Sequence, residues 1–316
     1  MAKSEKPIPQ HISDFLDWLD IEKGLSPNSQ KSYHNFLKRF LSWSKQNNLY
    51  SLLPHELTLE HIRKYRVYLS RGRSLSKSTQ NYYLIAIRSL LEYFSKRSIE
   101  ALPPDKVELA REKEERQVRF LNLEQLGQLL SAPDTSTFHG LRDRAILEVF
   151  FSTGLRIAEL IALNRAQINF PEDSSEELEV VVKGKGGRIR TVYFSPRSLE
   201  WLKEYAQQRT DNEDPLFITY LSEKKKAGPH RISLRIIQES MKRYAMKAGV
   251  SPSLITPHVL RHTFATDLLA KGVDLRTIQE FLGHKNIAAT QIYAHLTSKQ
   301  LREIHKKFHG GKDLKI

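Results

Sequence analysis

The 316-residue chain contains no cysteine, so disulfide staples, thiolate nucleophiles and cysteine-ligated zinc are all excluded. It also has no apolar run approaching the length of a membrane span, and its opening, M-A-K-S-E-K-P-I-P-Q, has no apolar signal core. The expectation is a cytoplasmic, unsecreted protein without a membrane span. Acidic residues are in short supply: 36 Asp and Glu stand against 50 Lys and Arg, a formal charge of +14. That excess is beyond what solubility needs and points to a polyanionic partner. It is not confined to a tail. The residues up to Ala110 hold 17 basic and 11 acidic side chains, leaving 33 and 25 beyond. Two basic halves suit a clamp that closes on nucleic acid from both sides, although a generally basic soluble protein would share the count.

What is present is a series of capped helical patterns. Ile12, Phe15, Leu16 and Leu19 give helical spacing within Ile8–Ile21 before Gly24-Leu25-Ser26-Pro27 interrupts it. Ser26 with Pro27 predicts the start of a second helix through Tyr33, Phe36, Leu37, Phe40, Leu41 and Trp43. Thr58 can cap a third, with Ile62, Tyr65, Val67 and Leu69, and Ser76 a fourth, with Tyr83, Ile87, Leu90, Leu91 and Phe94. Four helices with short connections make a small bundle able to fold alone. Its polar faces carry Lys31, Lys38, Arg63, Arg66, Arg71, Arg73, Lys77 and Arg88 among Ser and Asn, groups suited to phosphate contact and equally found on a solvated helix surface. The Pro pair and charged run that follow, with almost no apolar period, predict a linker over 105–119 between a first domain at 1–104 and a second at 120–308, with a loose tail at 309–316.

In the second half, Asn122 caps a helix through Leu126, Leu129 and Leu130, and a longer helix is expected from about Leu141 to Ser152. It stops at Thr153-Gly154, and the chain restarts as L-R-I-A-E-L, which sets Arg156 and Glu159 one turn apart. Arg156 there could be a surface arginine paired with Glu159 or a phosphate ligand. Leu178–Val182 and Ile189–Phe194 read as a hairpin whose glycine-rich tip holds Lys185, with Lys183 as its rival. Helices are expected from Ser195 to about Arg209, from His230 to Ala248 and from Pro257 into Ala270. Asp274 caps one more that Gly283 breaks before His284. The fold class is therefore mainly α, a four-helix domain plus a mixed helical domain with a small antiparallel β-sheet.

His258, Arg261, His262, His284, Tyr293 and His295 crowd the stretch from Thr256 to His295. His258 and His262 have the i, i+4 spacing of a zinc helix, but Val259 stands where the catalytic glutamate would be and Arg261 would put a cation beside the metal. No metal site is expected. Structural histidines in a helical DNA-binding domain remain an account of each one singly. Taken together with Arg156 and Lys185, the set suits phosphoryl transfer. Two guanidinium groups can bind the nonbridging oxygens, a lysine can protonate a leaving oxygen, and histidines can complete the proton balance.

The motifs T-G-L-R-I-A-E-L, K-G-K-G-G, H-V-L-R-H-T-F-A-T, L-G-H and T-Q-I-Y-A-H, in this order, resemble the tyrosine recombinases of the lambda-integrase family, most closely its Xer branch. The resemblance spans nearly the whole chain. It implies a SAM-like core-binding domain, a linker and a catalytic domain, with Tyr293 as the nucleophile forming a 3′-phosphotyrosyl bond. It further implies Arg156 and Arg261 as phosphate clamps, Lys185 as general acid, His258 as proton acceptor or positioning group, His284 as a hydrogen-bond partner of the phosphate, and Glu159 as support for the Arg156 turn. His262 and His295 would be structural. The implied activity is site-specific recombination without metal, ATP or other cofactor, in chromosome-dimer resolution or mobile-element integration and excision. The implied partners are a double-stranded DNA site and a homo- or hetero-tetramer on two such sites, with a second recombinase or activator protein left open. Leu296, Leu301, Ile304 and Phe308 would form a terminal helix exchanged between subunits. A non-catalytic architectural DNA-binding protein, or a nicking and closing enzyme of type IB topoisomerase kind, are the alternative readings. The acidic run Asn169–Glu177 before the hairpin, and Ala289 where relatives often have a hydroxyl, depart from the pattern.

Overall fold

The computed structural model describes residues 1–71, 75–110, 119–184, 187–220 and 228–283. Two compact units are present, Met1–Glu115 and Arg116–Ile316. Among the described residues no helix is long and apolar enough to cross a membrane.

The first unit is helical: α1 (Ile12–Ile21), α2 (Pro27–Gln46), α3 (Leu59–Arg71) and α4 (Lys77–Lys96). Each start has a local cause. Ser26 accepts from the Ser29 amide ahead of Pro27, Thr58 from the His61 amide and Ser76 from the Thr79 amide, each satisfying an amide the helix cannot. Ile8–His11 is a 3₁₀ turn rather than the first turn of α1. Leu37, Phe40, Trp43, Tyr65, Leu69, Leu84, Leu90 and Phe94 share one core. Val67, expected inside, is 40% exposed, because Ile62, Tyr65 and Leu69 repeat at three and four and leave position 67 on the outer face.

The charged segment expected as a linker from residue 105 is instead part of this unit as far as Ala110. Val107 is wholly buried in its core, and the Asn81 side chain exchanges two 2.9 Å hydrogen bonds with the Ala110 backbone. Val107, with Leu109 packed beside it, and one amide pair dock a stretch whose average composition is polar.

The second unit is organised around α6 (Phe138–Thr153), which follows α5 (Leu123–Ser131). α6 begins three residues before the expected Leu141, capped by the Thr137 hydroxyl, and it is buried on nearly all sides. Its charges are therefore paired internally. Arg142 donates twice to Asp143, whose other oxygen accepts from Tyr244, and Arg144 donates twice to Glu148. α7 (Ile157–Ala162) follows the Gly154 turn. β1 (Leu178–Lys183) and β2 (Ile189–Phe194) then pair antiparallel, with Val180 opposite Val192 and Val182 opposite Arg190. α8 (Pro196–Gln207) is capped by Ser195. β3 (Ile218–Thr219) pairs with β4 (His230–Arg231), so the helix expected from His230 begins only at α9 (Leu234–Lys247), where Ser233 supplies the cap. Two-residue strands are too short for a period-2 pattern to reveal. α10 (Pro257–Ala270) and α11 (Leu275–Leu282) complete the described unit, capped by Thr256 and Asp274.

Candidate active site

Arg156 and Glu159 come together with His258 and Arg261 from two sequence-distant segments, with His262 beside them. The device that gathers them is the end of α11. The last carbonyls of a helix have no intrahelical partner and carry the negative end of its dipole, so they attract cations. Here three successive carbonyls each take a different arginine. Phe281 O accepts from Arg190 Nε at 3.1 Å, Leu282 O from Arg261 Nη2, and Gly283 O from Arg156 Nη2 at 3.2 Å. Gly283 itself adopts φ 60°, the left-handed conformation that ends the helix and turns the chain toward His284.

A second helix terminus supplies the other hold on Arg261. α6 ends in Gly154 at φ 58°, and Gly154 O accepts from Arg261 Nη1 at 2.5 Å. A Cβ at Gly154 would lie 2.5 Å from the Phe264 ring, so both the backbone conformation and the space require glycine. Arg261 is 4% exposed and has two such carbonyl contacts.

Arg156, at the N-cap of α7, is more open, its side chain 29% exposed. Glu159, three residues on, accepts the Arg156 amide on Oε2 at 2.8 Å and Arg156 Nη1 on Oε1 at 2.9 Å. The pairing with Glu159 read from the sequence is thus present, and the Gly283 carbonyl is a second partner of the same guanidinium. Glu159 is 5% exposed. Burial alone would raise its pKa, but hydrogen bonds from Arg190 and Arg156 outweigh that and hold it below the usual carboxylate value.

Arg190 was not anticipated. Its Nη1 and Nη2 reach Glu159 Oε1 and Oε2, each at 2.9 Å. The available signal was its position: Arg190 shares the inward face of β2 with buried Val192 and Phe194, an unusual place for a charge. Gly184 carries the base of the hairpin tip to the same carboxylate, and a Cβ there would lie 3.0 Å from Glu159 Oε1. Lys183 lies on the exposed face of β1.

On α10, His258 and His262 neighbour each other one turn apart. The His258 imidazole is held below its ordinary value by lost hydration and by the Arg261 and Arg156 cations. His262 is pushed down to about 4 by burial, by His258 and by Arg261. Both are therefore neutral at neutral pH. Among the described residues no cluster of three or more His, Asp or Glu side chains could hold a metal ion.

Lys185, His284, Tyr293 and His295 lie outside the described residues, as do Arg73, Ala289 and the terminal helix expected from Leu296 to Phe308. Of the candidate DNA-contacting residues of the first unit, Lys31, Lys38, Arg63, Arg71 and Lys77 are exposed and Arg66 and Arg88 half-buried, spread over α2, α3 and α4. Arg63 lies 3.6 Å from Glu60.

Residues 119–300 match the phage integrase family, and residues 11–101 match the phage integrase N-terminal SAM-like domain. The chain is 32% identical over 312 residues to tyrosine recombinase XerD of Vibrio cholerae serotype O1, covering 98% of this chain and 99% of that one. It is 34% identical over 310 residues to tyrosine recombinase XerC of Natranaerobius thermophilus, covering 94% and 98%. Its fold is similar to that of the XerH site-specific recombinase in a pre-cleavage complex with difH substrate, with a TM-score of 0.69, 20% identity and coverage of 96% and 98%. A family match over most of the second unit, joined to relatives aligned from end to end, leaves one assignment: the chain belongs to the phage integrase family and is a tyrosine-type recombinase similar to the Xer proteins.

Proposed function

We propose that this chain cuts and rejoins DNA at specific sites through a 3′-phosphotyrosyl intermediate. In this reading the Tyr293 oxygen attacks a backbone phosphorus, the bond to the 5′ oxygen breaks, and Lys185 gives that oxygen its proton. Arg156 and Arg261 bind the nonbridging oxygens as charge builds on them in the transition state. His258, kept neutral by its cationic neighbours, is able to accept a proton or orient the phosphate, and His284 adds a hydrogen bond. Glu159 steadies the Arg156 turn. The phosphotyrosyl bond keeps the energy of the broken phosphodiester, so a 5′ hydroxyl from a partner strand reverses the attack without ATP or metal.

The observation that carries this reading is the seating of Arg156 and Arg261 on adjacent carbonyls at one helix end, beside a neutral histidine. Two arginines with restricted freedom, converging on the C-terminal end of α11, form a preorganised binder for a phosphodiester. The first unit, with its basic helices, would hold the duplex, and strand exchange would need four chains on two duplex sites, as a homo- or hetero-tetramer joined through the terminal helix. Chromosome-dimer resolution and mobile-element movement both use this chemistry.

A nicked suicide duplex carrying the site tests the proposal. The wild type should form a covalent protein–DNA adduct in excess chelator, and Tyr293→Phe should form none. An adduct that survives Tyr293→Phe, or that vanishes with chelator, would sink the mechanism. Relaxation of supercoiled plasmid lacking paired sites would favour the topoisomerase-like reading, and tight binding with no adduct the architectural one.

A further inference from the structure

We infer that Arg190 is a positioning residue that keeps Arg156 on one oxygen of Glu159 and so leaves its guanidinium turned toward the phosphate. This rests on the proposed role of Arg156 as a phosphate ligand. A carboxylate offers two acceptor sites on each oxygen. Glu159 Oε1 accepts Arg156 Nη1 and Arg190 Nη1, and Oε2 accepts the Arg156 amide and Arg190 Nη2. All four sites are filled. Among the described residues Arg156 touches the carboxylate through one side-chain nitrogen, whereas Arg190 takes the two-pronged geometry that arginine and carboxylate prefer.

Removing Arg190 would empty one site on each oxygen of a buried carboxylate. The nearest donor able to fill both is the Arg156 fork, already 2.9 Å away. Arg156 would then close onto Glu159 with two prongs and give up the Gly283 carbonyl, rotating its outward edge into the protein. Arg190 is itself fixed independently of Arg156, by Phe281 O and by the inward register of β2 opposite Val182. Glu159 is thus shared between an anchored arginine and a functional one. Because Arg190 lies on the strand that returns from the lysine-bearing hairpin, the same ion pair also ties that hairpin to the clamp.

The test reads Arg156 directly. An arginine-selective dicarbonyl reagent on the full-length protein, followed by peptide mapping, gives the labelling rate of Arg156 in wild type, Arg190→Ala and Arg190→Lys. The expected result is a several-fold fall in Arg156 labelling in Arg190→Ala, a smaller fall in Arg190→Lys, which keeps the charge without the fork, and recovery in Arg190→Ala when ethylguanidine is added. Unchanged or faster labelling, or full recovery by lysine alone, overturns the inference, because a merely structural charge would behave that way. If Arg190→Ala does not fold, Arg190→Lys alone decides on the same readout. In parallel, adduct formation on the suicide duplex should slow by roughly a hundredfold in Arg190→Ala at unchanged DNA affinity, as for a slightly misplaced reacting group. A wild type that forms no adduct while Arg156 labelling still falls would refute the recombination chemistry and leave the positioning role standing.

Discussion

Arg261 and Arg156 take neighbouring carbonyls at the end of α11, yet their surroundings differ. Arg261 is buried and spans two helix termini, from Gly154 O to Leu282 O, so it helps to join α6 to α11. Arg156 is more than a quarter exposed and leans on a carboxylate that Arg190 also holds. One arginine is therefore part of the framework as well as the site, and the other belongs to the site with its framework contacts duplicated. Equal importance for chemistry need not mean equal importance for stability.

The largest expected effect sharpens that contrast. Arg261→Ala and Arg156→Ala should each slow adduct formation by about a hundredfold to a thousandfold, the scale for loss of one preorganised charge donor. DNA affinity should stay close to that of the wild type. Urea unfolding should separate them. Arg261→Ala leaves two buried carbonyls without their cation and should lose about 1–3 kcal/mol. Arg156→Ala leaves Glu159 still held by Arg190 and should lose clearly less. Equal losses in the two variants would break the distinction.

The sequence made the parts of this site legible and left their assembly unread. Caps at Ser26, Thr58, Ser76, Asn122 and Asp274 and the hairpin from Leu178 to Phe194 are local features, determined by residues within a few positions, and the structure has each of them. Arg156 and Arg261 announced themselves through motif spacing. The carbonyls that hold them did not, because a main-chain acceptor has no side-chain signature. Arg190 was passed over for a related reason: its partner Glu159 is 31 positions away and one strand pairing removed. The docking of Val107, and the Tyr244 hydroxyl that reaches Asp143 in the buried helix α6 from 101 positions away, are likewise long-range solutions invisible to periodicity.

A second prediction separates the carboxylate from the histidines by pH. The folded pKa of His262, about 4, lies below its ordinary 6.5, so the unfolded chain binds the proton more readily between those values. Stability from keeping this imidazole neutral is complete above 6.5 and is lost as pH falls toward 4. His258 adds to the same limb in the same direction. Glu159 behaves oppositely in position. Its pKa is lowered from 4.5, so its contribution is intact above that pH and declines only below it. Urea midpoints measured from pH 7 to 4.5 should therefore fall in the wild type and fall less in His262→Gln, with Glu159 silent throughout. A wild-type slope unchanged by His262→Gln would remove this histidine from the account.

The two glycines that end α6 and α11 extend the contrast from side chains to the backbone. Both sit in the left-handed region, where any side chain costs on the order of 1 kcal/mol. They differ in what a new methyl would meet. At Gly154 it would strike the Phe264 ring at 2.5 Å and approach Leu282 at 3.2 Å, both packed against the core. At Gly283 it would meet Arg190 Cδ at 2.8 Å, the middle of a side chain whose guanidinium is held by Phe281 O and Glu159. Gly154→Ala should thus add an overpacking cost of about 1–3 kcal/mol to the backbone term, while Gly283→Ala should add a smaller cost, that of shifting Arg190 against Glu159. The order reverses for chemistry per unit of stability lost. The methyl at 283 displaces Arg190, whose retreat frees Arg156 to close on Glu159, so Gly283→Ala should slow adduct formation more than its modest loss of stability suggests. Measuring both quantities in both variants sets a framework glycine against a site glycine, and parallel losses in the two would mean that the α11 terminus matters for folding alone.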